Sequence, residues 1–282
     1  MSAIRKVPTV QSVQPTIKPK HQPLLATAFK ALSSTAQTIY QQVTESINAT
    51  QSSVVVSTQS TRQTALVLQR QTMSLAQKSN LPITEAAQVA ALVTANVYVT
   101  TNPQTIEQSW TPLKAATSLE SAKSALNNFV QQLEVNHQQV VVDNLVLSCH
   151  NAALKVGFTP LESSATVVNG VVRLIANDDT GRSLVTEIAT NPDHPVQMAT
   201  EIIGTSDRTC DQILDAFEAA LKEEGVMFAP PERKFTGGIC ELEAAKDFVR
   251  KRPTKKAQNQ TTTSQNKAVK RPPSQQQMKQ GF

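Results

Sequence analysis

A chain of 282 residues with 39% apolar and only 4% aromatic side chains is long enough for one large or two ordinary domains, but too poor in apolar residues to bury all of itself. Its net charge of +5 conceals a division: residues 1–20 carry four cations and no acid, residues 246–282 carry ten Lys or Arg against Asp247 alone, and residues 21–245 are left at −8, so attraction to anionic partners belongs to the two ends. Three widely separated cysteines without a CxxC pair argue for free thiols in a reducing compartment, and the absence of a secretory core or a run of roughly 20 apolar residues makes a cytoplasmic protein the expectation.

Residues 1–22, with Pro8, Pro15 and Pro19 among Gln and Thr, cannot offset their ordering cost by burial and read as a flexible basic arm. Pro23 suits the first turn of a helix, where its missing N–H costs nothing. Leu24 to Lys78 contains neither Gly nor Pro, so a long helical segment is allowed. Positions 43, 47, 50, 54, 57, 61, 64, 68, 71 and 75 keep a four-three spacing with polar gaps. They suggest either a helix packed on its neighbours or a coiled-coil-like seam over 43–75. The β-favouring run "SSVVVST", Ser52 to Thr58, is a place for that helix to break.

Helix restarts in "NLPITEAAQVAALVTANVYV", with Thr84 as a candidate cap. Pro103 and Pro112 are expected to bound a short connector. From Thr117 to Phe158 the chain reads as helix again, opened by Ser118 with Ser121 at the third position and closed by Gly157. Leu119, Ala122, Leu126, Val130 and Leu133 form one apolar stripe. Val142, Leu145, Val146, Cys149, Ala153 and Val156 form another. The shift near Asn136 suggests two helices or a bend, and places the end of a helical region, 23–137, before a compact unit, 138–250.

In that unit the composition turns to Val, Ile and Thr. Short strands are expected near 165–168, 171–176, 183–189 and 196–203, with Asn169–Gly170 and "NDDTG" as hairpin turns and the prolines of "TNPDHP" as a stop. "SDRTCDQILDAFEAALKEEGV" is a clear amphipathic helix, capped by Ser206 or Asp207 and ended by Gly225. "VMFAPPERKFTGGI" allows a further strand or loop. "ELEAAKDFVRKR" is a last helix before a disordered basic tail, 251–282. The fold class is α+β: a largely helical N-terminal region, then a small helix, antiparallel sheet of three or four strands, and helix, with flexible basic ends.

Chemistry-bearing residues are few. Asp178, Asp179 and Glu187 offer oxygens suited to a hard cation, but the regular ligand spacing of an EF-hand is absent, and Asp and Asn before Gly181 have a simpler use in turning the chain. Alternation lets Arg173 and Glu187 face one another with Glu201 beside them, the ordinary pattern of a solvated sheet face. Cys149 falls on an apolar stripe, whereas Cys210 opens a helix, where a thiol is more reactive. His21, His137, His150 and His194 are far apart. No nucleotide or cofactor motif is found, so no cofactor is expected. Arg250, Lys251, Arg252, Lys255, Lys256, Lys267, Lys270 and Arg271 are candidate phosphate contacts, without an aromatic series to stack on bases.

Three functions remain open on these grounds. The favoured one is a non-enzymatic interaction or scaffold protein, in which the helical region mediates association, including self-association, and the α/β unit presents a partner surface. The second is a nucleic-acid-associated accessory protein holding phosphates through its basic tail. The third is a metal-dependent hydrolase or nuclease built on the acidic hairpin.

Overall fold

The computed structural model describes residues 3–7, 10–12, 22–48, 58–99, 102–161, 166–168, 170–190, 196–205, 209–235 and 239–251. In chain order the elements are β1 (Ala3–Val7), β2 (Val10–Ser12), α1 (Gln22–Lys30), α2 (Ser34–Asn48), α3 (Thr58–Lys78), α4 (Ile83–Ala95), α5 (Pro103–Ala115) and α6 (Leu119–Lys155). They continue with β3 (Thr159–Pro160), β4 (Thr166–Val168), β5 (Val171–Asn177), β6 (Ser183–Ala189), β7 (Gln197–Ile203), α7 (Thr209–Glu223), β8 (Met227–Phe228), β9 (Glu232–Phe235) and α8 (Glu243–Lys251). The architecture is α+β, a helical N-terminal region followed by an antiparallel sheet flanked by helices, as the sequence predicts.

The helical layer is built around α4. Its Ala- and Val-rich sequence buries Ala86, Ala87, Val89, Ala90, Ala91, Leu92 and Val93, so the helix is apolar nearly all round, the signature of a central element. It packs on α1, α2, α3, α5 and α6. The one polar side chain buried near its end, Thr94, is satisfied by donating its hydroxyl to Ala90 O at 2.7 Å. The helix starts at Ile83 with Pro82 before it and no side-chain cap, so Thr84 does not cap it. The segment from Leu24 to Lys78 is not one helix. Between α1 and α2 the Ser33 hydroxyl accepts the Ala36 N–H at 3.3 Å, and the Ser33 N–H donates to Glu85 of α4 at 2.6 Å. Seam positions Val43 and Leu68 are buried in the chain's own helical core; Thr61 is buried as well. Positions 50, 54 and 57 lie outside the described residues.

Pro103 and Pro112 do not bound a connector, because α5 contains both. Pro103 stands at the helix start, where the Asn102 side chain accepts the Thr105 N–H at 3.3 Å. Pro112 falls in the last turn, and Trp110 of α5 packs edge-on against Phe129 of α6 at 5.7 Å.

α6 is a single helix of 37 residues, roughly 55 Å long, not two helices. Ser118 and Ser121 form the expected reciprocal cap. The stripe shifts near Asn136 because one rod serves two cores. Ala122, Ala125, Phe129 and Leu133 face the helical layer; Val140, Val141, Leu145, Cys149 and Ala152 face the sheet. The change of core falls between Leu133 and Val140, inside a continuous helix.

The main sheet runs β3-β5-β6-β7-β1-β9, with β4 also on β5, every pairing antiparallel. Its inner face carries Val172, Leu174, Ala176, Leu184, Ile188, Met198 and Ile202 against α6 and against Leu214, Phe217 and Leu221 of α7. Cross-strand partners Thr186 and Thr200 sit among them and bond to each other at 3.2 Å, which satisfies two buried hydroxyls. The four expected strands are all present. The sheet is nevertheless wider, because β1 inserts between β7 and β9. Residues 3–7 thus depart from the flexible arm expected over 1–22. Their ladder partners lie nearly two hundred and more positions away, at Met198–Ile202 and Glu232–Phe235, and a local pattern cannot show that pairing. Among the described residues no helix is long and apolar enough to cross a membrane.

Candidate functional site

The acidic hairpin is closed on itself. The Asp178 carboxylate accepts the backbone N–H groups of Thr180 at 3.0 Å and Arg182 at 2.8 Å, the Thr180 hydroxyl at 2.9 Å, and the Arg182 Nε–H. Burial works against that carboxylate, but the Arg182 side chain, the Arg182 backbone and Thr180 outweigh it and hold Asp178 below its usual range. Gly181 supplies the positive φ, +87°. Asp179 is exposed. Glu187 pairs across the ladder with Arg173, and Asn177 with Ser183, so Glu187 stands roughly 13 Å along the strands from the turn. The three proposed cation ligands are not brought together, and among the described residues no group of three His, Cys, Asp or Glu is placed to hold a metal ion.

Glu187, Glu201 and Arg173 have another task. The alternation suggests a solvated outer sheet face, but α8 covers the part of it around Val185 and Ile203. Leu242, Ala244 and Ala245 pack with Val185 and Ile203 there, and Phe248 joins them. The Glu201 carboxylate, fully buried, accepts the N–H of Glu241 at 3.1 Å and of Leu242 at 3.0 Å. Glu187 accepts the Ala244 N–H at 2.8 Å. Two strands thus supply the carboxylates that cap the open amide groups of one helix start. Burial pushes the Glu201 carboxyl above its usual range, against those same amide donors. Arg173 completes the seat: its Nε lies 3.3 Å from Glu187 Oε1 and its Nη1 3.3 Å from Asp247.

A concave surface lies elsewhere, in the helical layer. A groove of about 520 Å³ opens between α3 and α6, lined by Arg62, Leu66, Gln69, Tyr98, Asn127, Gln131, Glu134, Val135 and His137 among others; that volume lies within the range of ligand sites, about 300–1,000 Å³. Its floor is polar. The Tyr98 hydroxyl donates to Glu134 at 3.1 Å, and Arg62 Nε reaches the same Glu134 oxygen at 3.3 Å. His137, buried at the point where α6 passes from one core to the other, accepts the Val99 N–H on Nδ1 at 3.1 Å and meets Tyr98 edge-on at 5.4 Å. Burial, and then the facing Glu134 carboxylate, drive the Tyr98 phenol far above its usual range, so it remains a neutral donor. The Gln69 side-chain nitrogen is buried without a hydrogen-bond partner. Leu66 and Val135 are exposed on the groove.

None of the groove residues stands out in the sequence. Arg62 and Gln69 are seven apart on α3, and Asn127, Gln131, Glu134 and Gln138 repeat at four-three spacing on α6. That spacing announces common faces; it does not announce that the two faces adjoin.

The remaining candidates are placed as follows. Cys149 is buried beside Met198, 3.7 Å between sulfurs, and burial pushes its thiol up to about 12. Cys210 is buried too. His150 is next to Cys149 in sequence, but its Nε2 has no partner, so no nucleophile–base pair forms there. Arg250 is exposed at the end of α8, 3.9 Å from Asp247. Lys251 ends the helix. Arg252, Lys255, Lys256, Lys267, Lys270 and Arg271, like capping candidates Ser206 and Asp207, lie outside the described residues. No protein-family model, curated protein or solved structure matches the chain.

Proposed function

We propose that the chain is a non-enzymatic interaction protein whose α3–α6 groove is its partner surface. The observation that carries this reading is the ion-paired floor of the groove: Arg62 Nε and the Tyr98 hydroxyl both meet the Glu134 carboxylate. Catalysis by proton transfer calls for a group whose pKa lies near the working pH, and Tyr98 is driven the other way. Exposed Leu66 and Val135 beside a fixed polar set suit recognition, where a small apolar contact adds affinity and oriented polar groups add specificity. The test is proximity labelling in the native host with the full chain. Neighbours labelled by the native chain should be lost with Leu66→Glu plus Val135→Glu and kept with a control substitution at exposed Met227. An unchanged set of neighbours would overturn the reading.

The basic tail supports a second reading, contact with nucleic-acid phosphates. Ten cations against one acid after residue 245 support it, together with the exposure of Arg250. Affinity for duplex DNA should fall steeply with salt and vanish on removal of 252–282; a flat salt response counts against it.

A further inference from the structure

We infer that His137 is a pH-sensitive switch of the α3–α6 groove: a proton taken up on its Nδ1 releases the Val99 backbone and draws the Glu134 carboxylate away from Tyr98 and Arg62. Its use in regulation rests on the groove being a binding surface.

His137 stands where two stretches of chain change core together. On α6, Leu133 belongs to the core of the helical layer and Val140 to the core of the sheet. After α4, Tyr98 packs in the first and Val99 in the second. The Val99 N–H, 3.1 Å from His137 Nδ1, ties the two crossings together, and the imidazole is buried. A ring that accepts on Nδ1 is neutral and carries its proton on Nε2. Protonation from water sets a second N–H at Nδ1, donor against donor. The bond to Val99 and the charged ring therefore exclude one another.

The titratable side chains that share the groove wall with His137 are Arg62 from α3, Tyr98 from the segment after α4 and Glu134 from α6 itself. The apolar Val99 and Val140 stand on the core side. Arg62 is a like charge to an imidazolium. Tyr98, edge-on to the imidazole at 5.4 Å, stays protonated because burial and Glu134 hold its phenol far above its usual range. Glu134 is thus the counter-charge within reach, three residues before His137, a spacing at which helix side chains meet. With the imidazole neutral, that carboxylate is held by the Tyr98 hydroxyl at 3.1 Å and Arg62 Nε at 3.3 Å. With the imidazole charged, His137 competes for it, and the floor beneath Leu66 and Val135 is rebuilt. An unperturbed imidazole changes charge near about pH 6.5, so mild acidification is the signal the device reads.

The experiment follows the full chain by NMR from pH 8 to pH 5. At pH 8 the His137 Nδ1 shift should be that of an unprotonated ring nitrogen, and the Val99 amide should be protected from hydrogen exchange. As the ring takes up its proton, Val99 protection, corrected for the intrinsic rate, should fall about tenfold or more. The Tyr98 ring resonances should shift with the same midpoint. The amides of Phe158 and Val226, bonded to the carbonyls of Ala153 and Leu221, should keep their protection and so exclude global unfolding. His137→Gln retains an acceptor that does not titrate, and should make Val99 protection independent of pH. A ring that stays neutral to pH 5, or Val99 protection that stays flat while the ring titrates, overturns the inference on the native chain alone. A fall that persists in His137→Gln overturns it as well. If the switch fails while Leu66→Glu plus Val135→Glu still loses cellular neighbours, the interaction reading stands. If His137 and Val99 titrate together while those neighbours are unchanged, the switch of the floor stands and the interaction reading falls.

Discussion

The carboxylate of Glu201, on the outer face of β7, accepts the backbone N–H of Leu242 at 3.0 Å and so fixes the start of α8 on the sheet. The same carboxylate takes the Glu241 N–H. A buried charge is tolerable there because the helix end offers amide donors that no residue of α8 itself satisfies.

Glu201→Leu should therefore cost more than burial of a similar side chain suggests. It strands the N–H groups of Glu241 and Leu242, and leaving buried donors unpaired costs about 1–3 kcal/mol. Glu201→Gln keeps an acceptor and should cost less. Urea unfolding of both variants, followed by far-UV circular dichroism, ranks them; equal losses would show that the cap contributes nothing beyond volume.

Asp178 makes the stability depend on pH with a definite sign. Its folded pKa is depressed, so its contribution is present above the unfolded carboxylate value, about 3.9, and is lost as pH falls through the folded one. Asp178→Asn should destabilise the protein at pH 7, and the gap to the native chain should close as the pH drops below that range. A gap that stays constant from pH 7 to pH 3 would mean the Arg182 contacts do not depend on the charge.

Two glycines separate conformational strain from crowding. Gly157 has φ +83° with open space where a Cβ would go, whereas Gly204 has φ +88° and would place a Cβ 3.1 Å from the Gly181 carbonyl oxygen. Both changes to alanine incur the left-handed penalty of about 1–2 kcal/mol. Gly204→Ala should cost more, since backbone of the β5–β6 turn must also move. Thermal unfolding of the two variants decides it; equal losses would place the whole effect in φ.

Phe129 is fully buried against Trp110. Phe129→Ala should lower stability by about 3–5 kcal/mol and shift the emission of the only tryptophan. Because α6 carries both cores, loss of helical signal and loss of Trp110 signal should coincide along a denaturant titration. Two separate transitions would show that the helical layer and the sheet unit unfold independently.

What the sequence determined by itself was local or periodic. The strands near 165–168, 171–176, 183–189 and 196–203, the Gly181 turn, the Ser118 cap and the ends of α6 at Gly157 and of α7 at Gly225 all rest on neighbours within a few residues, where alternation, caps and left-handed glycines act. Asn136 carried a true signal as well, because the apolar stripe does change sides there. Only the tertiary structure decided what the change meant, since one rod facing two cores and two short rods have the same periodicity. It also decided that Ala3–Val7 enters the sheet, that Glu187 and Glu201 cap a helix instead of facing water, and that Arg62 of α3 meets Glu134 of α6. Each of those depends on groups brought together across long stretches of chain, 72 positions in the last case, by burial of apolar faces elsewhere. Polar residues whose partners are that distant leave no periodic trace of the contact they make.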